Sequence, residues 1–283
     1  MLRAMSTHVR VRERLRIAHL EAMVRGGAQA IELFCQKEHF DYTDRSRVKE
    51  IAAWFREHPG MLHSMHSPIY SEPDHGRHMA PPVNVVAGEK RQRVAAMDEV
   101  KRAIEFAEQA PFLFLVQHLG ISKEKWEPRK MEYAITALEH LRVFAKPLGV
   151  TVLVENIPNE IATPDRLQEI VSTAHFDDVG FCFDVGHAHF GQGVRQSFET
   201  MQDKIRSTHL HDNHGERDEH LWIGEGTIDW EEAMSLLRSA PHVPAMLLEI
   251  TGDSQKEIAA GASESFERLE KALDPAEKQM AER

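Results

Sequence analysis

Three observations in the amino-acid sequence predict an α/β fold of the (β/α)8 type, the TIM barrel. Short apolar runs alternate with amphipathic stretches from one end of the 283 residues to the other. There are eight such runs, rich in Val, Ile, Leu and Phe, as expected of strands buried on both faces. Most of them end in His, Asp or Glu, and the strand ends of a barrel converge on one face. A doubly wound open sheet also alternates, but it would carry a glycine-rich phosphate turn after its first strand, and this chain has none there.

In order, the first strand is RAMST at 3–7, followed by a helix over 11–26. QAIELFC at 29–35 is the second strand, and Asp44 before RSRVKEIAAWF starts the helix 44–58. MLHSMH at 61–66 and FLFLVQH at 112–118 are the third and fourth, with helices over 89–110 and 124–148. VTVLVEN at 150–156 precedes Thr163-Pro164, a start signal for the helix 163–175. DVGFCFD at 178–184, RSTHLH at 206–211 and AMLLEIT at 245–251 complete the strands. The remaining helices fall at 194–204, 229–240 (opened by Asp229) and 253–274.

No composition break or Ser/Gly linker divides the chain, so one domain is expected over 1–274, with a polar tail at 275–283. The hydrophobic set makes up 42% and charged residues 28%, which suits a water-soluble core of this size. No run of eighteen apolar residues is present, so no transmembrane helix is expected. The basic N-terminus has no apolar segment of the signal-peptide kind. Cys35 and Cys182 lie in apolar runs and read as reduced core residues, so a cytoplasmic location is expected. A net charge of −11 weighs against a nucleic-acid partner without forbidding a local basic groove.

The strand ends carry the chemistry. The third ends in His66, the fourth in His118, the fifth in Glu155, the sixth in Asp184 and the seventh in His209, while the eighth carries Glu249. Each alone is an ordinary residue: a hydrogen-bonded histidine, a solvated acid. Their recurrence at equivalent positions is the signal. Carboxylates converging on a buried mouth need cations, Arg and Lys are scarce in these segments, and a divalent metal meets the need. The loop HLHDNHGERDEHLWIGEGTIDW, 209–230, adds His211, His214 and His220 with several acids, and Asp218 and His220 are spaced to face one ligand. The long segment 67–90 is suited to a wall or lid, with His75, Arg77 and His78 placed to meet an anionic substrate or plain solvent. Trp222 fits either the packing of its loop or a platform for a sugar ring.

The stretches HSMHSPI, QHLG, VLVENIP, CFDVGHAHF, HLHDNHGERDEHLWIGEGTIDW and LLEIT resemble the xylose isomerase-like TIM barrels, in that family's order, from about residue 60 to 251. The family includes sugar epimerases and isomerases as well as endonuclease IV. In the sugar branch, the resemblance implies one divalent metal (Mn2+, Mg2+, Zn2+ or Co2+) held by Glu155, Asp184, His209 and Glu249. It implies a substrate contact from His187; the following His189 reads from its position as no more than a supporting residue. Glu155 and Glu249 would be the acid–base pair, moving a proton alpha to a carbonyl through a metal-stabilised enediolate. The substrate would be a small sugar or keto-polyol, the setting carbohydrate metabolism, and a homo-oligomer fits the family. The endonuclease branch implies up to three Zn2+ held by His66, His118, Glu155, Asp184, His187, His209, Asp218, His220 and Glu249, and abasic-site cleavage. Against that branch stand DVGHAHF and HLHDNHG, which depart from its pattern, and the acidic net charge. A dehydratase or lyase would use the same proton abstraction.

Overall fold

A computed structural model describes residues 1–72, 80–251 and 257–273. Its eight strands are β1 (Arg3–Ser6), β2 (Ala30–Phe34), β3 (Leu62–His66), β4 (Phe114–Gln117), β5 (Thr151–Glu155), β6 (Gly180–Asp184), β7 (Ile205–His209) and β8 (Met246–Leu248). All pair in parallel, in the order β7-β6-β5-β4-β3-β2-β1-β8. The ring closes just beyond the ends of β7 and β8. Leu210 bridges Leu248, its N–H donating to the Leu247 carbonyl at 2.8 Å, and the Glu249 N–H donates to Leu210 at 3.1 Å. The fold is the (β/α)8 barrel that the alternation predicts.

Around it lie α1 (Ile17–Arg25), α2 (Arg45–Glu57), α3 (Lys90–Ile104), α4 (Pro128–Ala145), α5 (Pro164–Thr173), α6 (Val185–Phe190), α7 (Val194–Met201), α8 (Trp230–Ser239) and α9 (Ile258–Leu273). The start signals act as caps: the side chains of Asp44, Thr163 and Asp229 each accept from backbone N–H groups of the first turn. Two expectations are corrected. The helix expected from residue 11 begins only at Ile17, because the preceding segment is bonded elsewhere: the Leu15 N–H donates to the His39 carbonyl at 2.9 Å, and the Arg47 guanidinium donates to the Leu15 carbonyl. And α6, six residues long, follows directly on β6, with Asp184 as its cap through the His187 N–H at 2.6 Å. The tail 275–283, the start of the helix expected from 253, and His75, Arg77 and His78 lie outside the described residues.

Strand periodicity explains why the strand tips bear polar groups. Alternate residues face the barrel axis. Ala4, Ala30 and Leu247 pack together there, as do Val116, Leu153 and Cys182. Two residues along the same faces stand Glu32, Glu155, Asp184 and Glu249. The opposite faces pack against the helices in a continuous core containing Ile31, Leu33, Phe181, Phe183, Val152 and Val154. Both cysteines are free and buried.

Candidate metal centre

Four side chains from consecutive strands meet at the barrel mouth. Glu155 ends β5, Asp184 ends β6, His209 ends β7, and Glu249 follows β8 by one residue, held by its backbone bond to Leu210. His209 Nδ1 lies 3.3 Å from Glu155 Oε1, 3.3 Å from Glu249 Oε2 and 3.9 Å from Asp184 Oδ2. Glu155, Asp184, His209 and Glu249 are at most 3% exposed. Glu155 Oε1, Asp184 Oδ2, His209 Nδ1 and Glu249 Oε1 are buried without a hydrogen-bond partner. Buried polar atoms are otherwise nearly always paired. Three carboxylates and one imidazole with their free atoms turned inward are the donor set of a hard divalent ion, so the residues present fit the metal that the strand ends imply.

The other sequence-predicted residues surround this set. His118 lies one residue beyond β4, its Nε2 3.0 Å from Glu155 Oε2, and His66 Nε2 is 3.5 Å from the same oxygen. On the outer side, His187 Nε2 and His220 Nε2 lie 3.1 and 3.0 Å from the two oxygens of Asp218. Three of these histidines are fixed in one way: Nδ1–H of His66, His187 and His220 donates to the carbonyls of Ser67, Asn156 and Glu249, at 2.8, 2.9 and 2.8 Å. That turns each Nε2 toward a carboxylate, where it carries a proton when no ion is bound and is free to ligate one when it loses that proton. His220 is held at φ 47°, a left-handed conformation costly for a side-chain-bearing residue and often found at functional sites. All nine positions therefore come together, in groups of ligating atoms within 4.8 Å of one another.

Electrostatics follow from this crowding. Burial opposes the charged form of His187, but Asp184, Asp218 and Glu155 outweigh it and hold its pKa well above the usual value. For His209, burial is likewise outweighed, by Cys182 and the carboxylates of Glu249, Glu155 and Glu32. Against the same penalty, Asp218 and Glu249 lift His220 to about 9. Glu155, which burial alone would raise, is held well below the carboxylate range by His209, His118 and His187. Without a metal, protons on the imidazoles supply the positive charge.

Beside the carboxylates opens a cavity of about 630 Å³, bordered by His66, His118, Glu155, His187, Asp218, His220 and Glu249 and, on the far side, by Phe34, Ile69, Tyr70, Pro82 and Val83. This is room for a small polar substrate with one face against apolar groups. The stem of the 67–90 segment supplies that wall, through the Tyr70–Pro82 bridge. Trp222 does not reach it. It is 1% exposed and packed so closely on Gly261 that a Cβ there would sit 2.6 Å from the indole, so it belongs to the core of its loop.

The family model of the xylose isomerase-like TIM barrel matches residues 20–272. The chain belongs to this family. The first curated relatives, uncharacterized proteins of Methanocaldococcus jannaschii at 31 and 29% identity, are matched over little more than half their length, 57 and 59%. Inosose isomerase of Halalkalibacterium halodurans is 21% identical over 80% of this chain and 84% of its own. Among solved structures, a D-tagatose 3-epimerase-like protein matches with a TM-score of 0.78 at 24% identity, covering 99% of this chain and 100% of that one. An IOLI protein with a bound zinc atom matches with a TM-score of 0.77 at 17% identity, covering 97 and 99%. At such identities these structures speak for the fold.

Three polar residues of the site, two of them buried, are absent from the sequence-predicted set. Glu32, from β2, faces His209 from below. His211 is fully buried, with Nε2 3.2 Å from Asp184 Oδ1 and its ring stacked on His220 at 3.9 Å. A Cβ on Gly186 would fall 2.1 Å from the His211 ring, so only glycine fits above it. His8 borders the cavity, and burial and the neighbouring His220 hold its pKa well below the usual value. Glu32 carries a legible signal: a strand with both faces buried leaves no solvent for an acid in its middle.

Proposed function

We propose that this protein is a divalent-metal-dependent isomerase or epimerase of a small sugar or keto-polyol. The observation that supports this reading best is the convergence of four unpartnered, buried ligand atoms, from Glu155, Asp184, His209 and Glu249, at the edge of a cavity of substrate size. The named activities of the inosose isomerase and the tagatose epimerase-like relatives agree with it. A bound divalent ion would polarise a carbonyl and an adjacent hydroxyl and spread the negative charge of an enediolate. Glu155 and Glu249 reach the centre from either side of His209 and act as base and acid at the carbon alpha to the carbonyl. His187, held by Asn156, orients a substrate oxygen, and the apolar wall limits water at the reacting carbon. One barrel domain over residues 1–274 is the organisation this reading assumes.

The test is solvent exchange. With Mn2+, Mg2+, Co2+ or Zn2+ supplied, a panel of ketoses and keto-inositols in D2O should yield at least one compound labelled at the carbon alpha to its carbonyl. Glu155→Gln and Glu249→Gln should each lower that exchange by at least about 100-fold, the scale of a general acid–base contribution. No labelling across the panel counts against the reading.

A second reading, a three-zinc endonuclease acting at abasic sites, has one observation in its favour: the additional groupings His66/His118/Glu155 and His187/His211/Asp218/His220 are also assembled. Elemental analysis of the purified protein separates the two. One ion per chain fits the isomerase, and three zinc ions with nicking of abasic duplex fit the endonuclease.

A further inference from the structure

Beneath the mouth, β2 sends a fifth acid across the barrel. Glu32 is 0% exposed, and its strand is not a neighbour of β7, yet its carboxylate lies against His209: Nε2 is 3.2 Å from Oε1 and 3.4 Å from Oε2. Ser64, on the adjacent β3 and in register with Glu32, donates its hydroxyl to Oε2 at 2.8 Å. The orientation of His209 is the reverse of its neighbours'. His66, His187 and His220 give Nδ1–H to backbone carbonyls and turn Nε2 to Glu155 or Asp218. His209 turns Nε2 down to a carboxylate and leaves Nδ1, unpartnered, among Glu155, Asp184 and Glu249.

We propose that Glu32 is the positioning residue of the metal centre, taking the Nε2–H of His209 so that the ring is fixed with its Nδ1 lone pair on the ion. This rests on the metal-dependent reading above and adds a determinant from outside its ligand set. Three physical consequences follow. The tautomer is set, because a carboxylate accepts only from the protonated nitrogen. The ring is held against a flip about Cβ–Cγ, which would put the carbon Cε1 in place of Nε2 at Glu32 and the carbon Cδ2 in place of Nδ1 at the ion. And a charged acceptor makes the imidazole a stronger donor than a carbonyl would. Ser64 in turn keeps the carboxylate from rotating away. A purely structural Glu32 would stabilise the barrel with or without an ion; a positioning Glu32 changes how tightly the folded chain holds the ion.

The experiment reads that difference in the full-length chain. Metal-free wild type, Glu32→Gln, Glu32→Asp and Ser64→Ala are titrated with Mn2+ and Zn2+ against a chromophoric chelator, and the thermal unfolding of each chelated form is recorded. Loss of an outer partner of a ligating histidine weakens metal binding by roughly 10–100-fold. E32Q and E32D are expected within that range and S64A at or below its lower end, with the chelated forms still folded. A wild type that takes up ion while E32Q matches its affinity within about twofold overturns this inference alone. A wild type that takes up neither ion overturns it together with the function proposed above. Should neither Glu32 variant fold, S64A decides: unchanged affinity overturns the proposal, and weakened affinity in a folded chain supports it.

Discussion

His39 shows what a single imidazole buried away from the acidic centre does. It lies 1% exposed in the loop after β2, its Nδ1–H donating to the Glu13 carbonyl at 2.6 Å and its Nε2 buried without a partner. Burial pulls its pKa down to about 4, outweighing the Glu13 and Arg10 carbonyls and the Glu13 carboxylate, which favour the charged ring. The unfolded chain takes up that proton near pH 6.5 and the folded chain only near 4. The stability is therefore complete above 6.5 and is lost as pH falls through that window, by roughly 3 kcal/mol at about 1.4 kcal/mol per unit. In a heteronuclear NMR titration the His39 ring should remain neutral at pH 5.5, and a midpoint near 6.5 would refute the assignment. The same contrast governs which site residues were legible. Glu155 and Asp184 end apolar runs and Glu249 interrupts one, so each acid breaks the pattern. His211 lies in a segment crowded with polar residues, and nothing in the sequence separates it from His214, which is exposed and paired with Glu219 at 2.8 Å. Burial distinguishes them, and burial is a property of the fold.

At the scale of elements, strand centres were legible and boundaries less so. The fourth and eighth strands end at Gln117 and Leu248, one residue short of His118 and Glu249, whose side chains escape the ladder toward the mouth. Helix α6 was missed because VGHAHF is short and looks like loop; its helicity comes from the Asp184 cap and from burial against β7, neither visible as periodicity. The loop 210–229 is ordered by one acid. Asp212 Oδ1 accepts from the N–H groups of Asn213 and Ile228 at 2.9 and 3.2 Å, and Oδ2 accepts from the Gly224 N–H at 2.8 Å and the Trp230 indole at 3.0 Å. An amide there would turn an N–H against one of these donors. Asp212→Asn is expected to destabilise the chain by about 2 kcal/mol, the cost of a buried donor left unpaired. It should also speed amide exchange across 213–228, loosening Asp218 and His220. Exchange that matches the wild type across the loop would show that the rest of the barrel holds it.

For the whole molecule, the decisive fact is that four strands place their polar tips in one buried volume, so the ring of strands and the charge at its mouth are a single energetic problem. Without an ion, the carboxylates are answered by protons. His187 and His209 titrate well above the usual histidine value, and His220 at about 9. A histidine whose folded pKa is raised stabilises the fold fully below pH 6.5, and that contribution is lost as pH rises through its folded pKa. The chelated chain should accordingly weaken as pH rises from about 6.5 toward 9, the window that His220 sets, because the unfolded chain gives up its histidine protons there while the folded chain still holds them against the carboxylates. A divalent ion does not titrate away over this range and binds more tightly as its histidine competitors deprotonate. At a hundredfold excess over its dissociation constant it adds about 2.7 kcal/mol, worth about 5 °C or somewhat more in a chain of this size. The gap in unfolding temperature between metal-loaded and chelated protein should therefore be small at pH 6 and widen toward pH 9. Scanning calorimetry across that range checks it: a gap that is constant or narrows with rising pH would mean that protons and metal do not compete for the same centre.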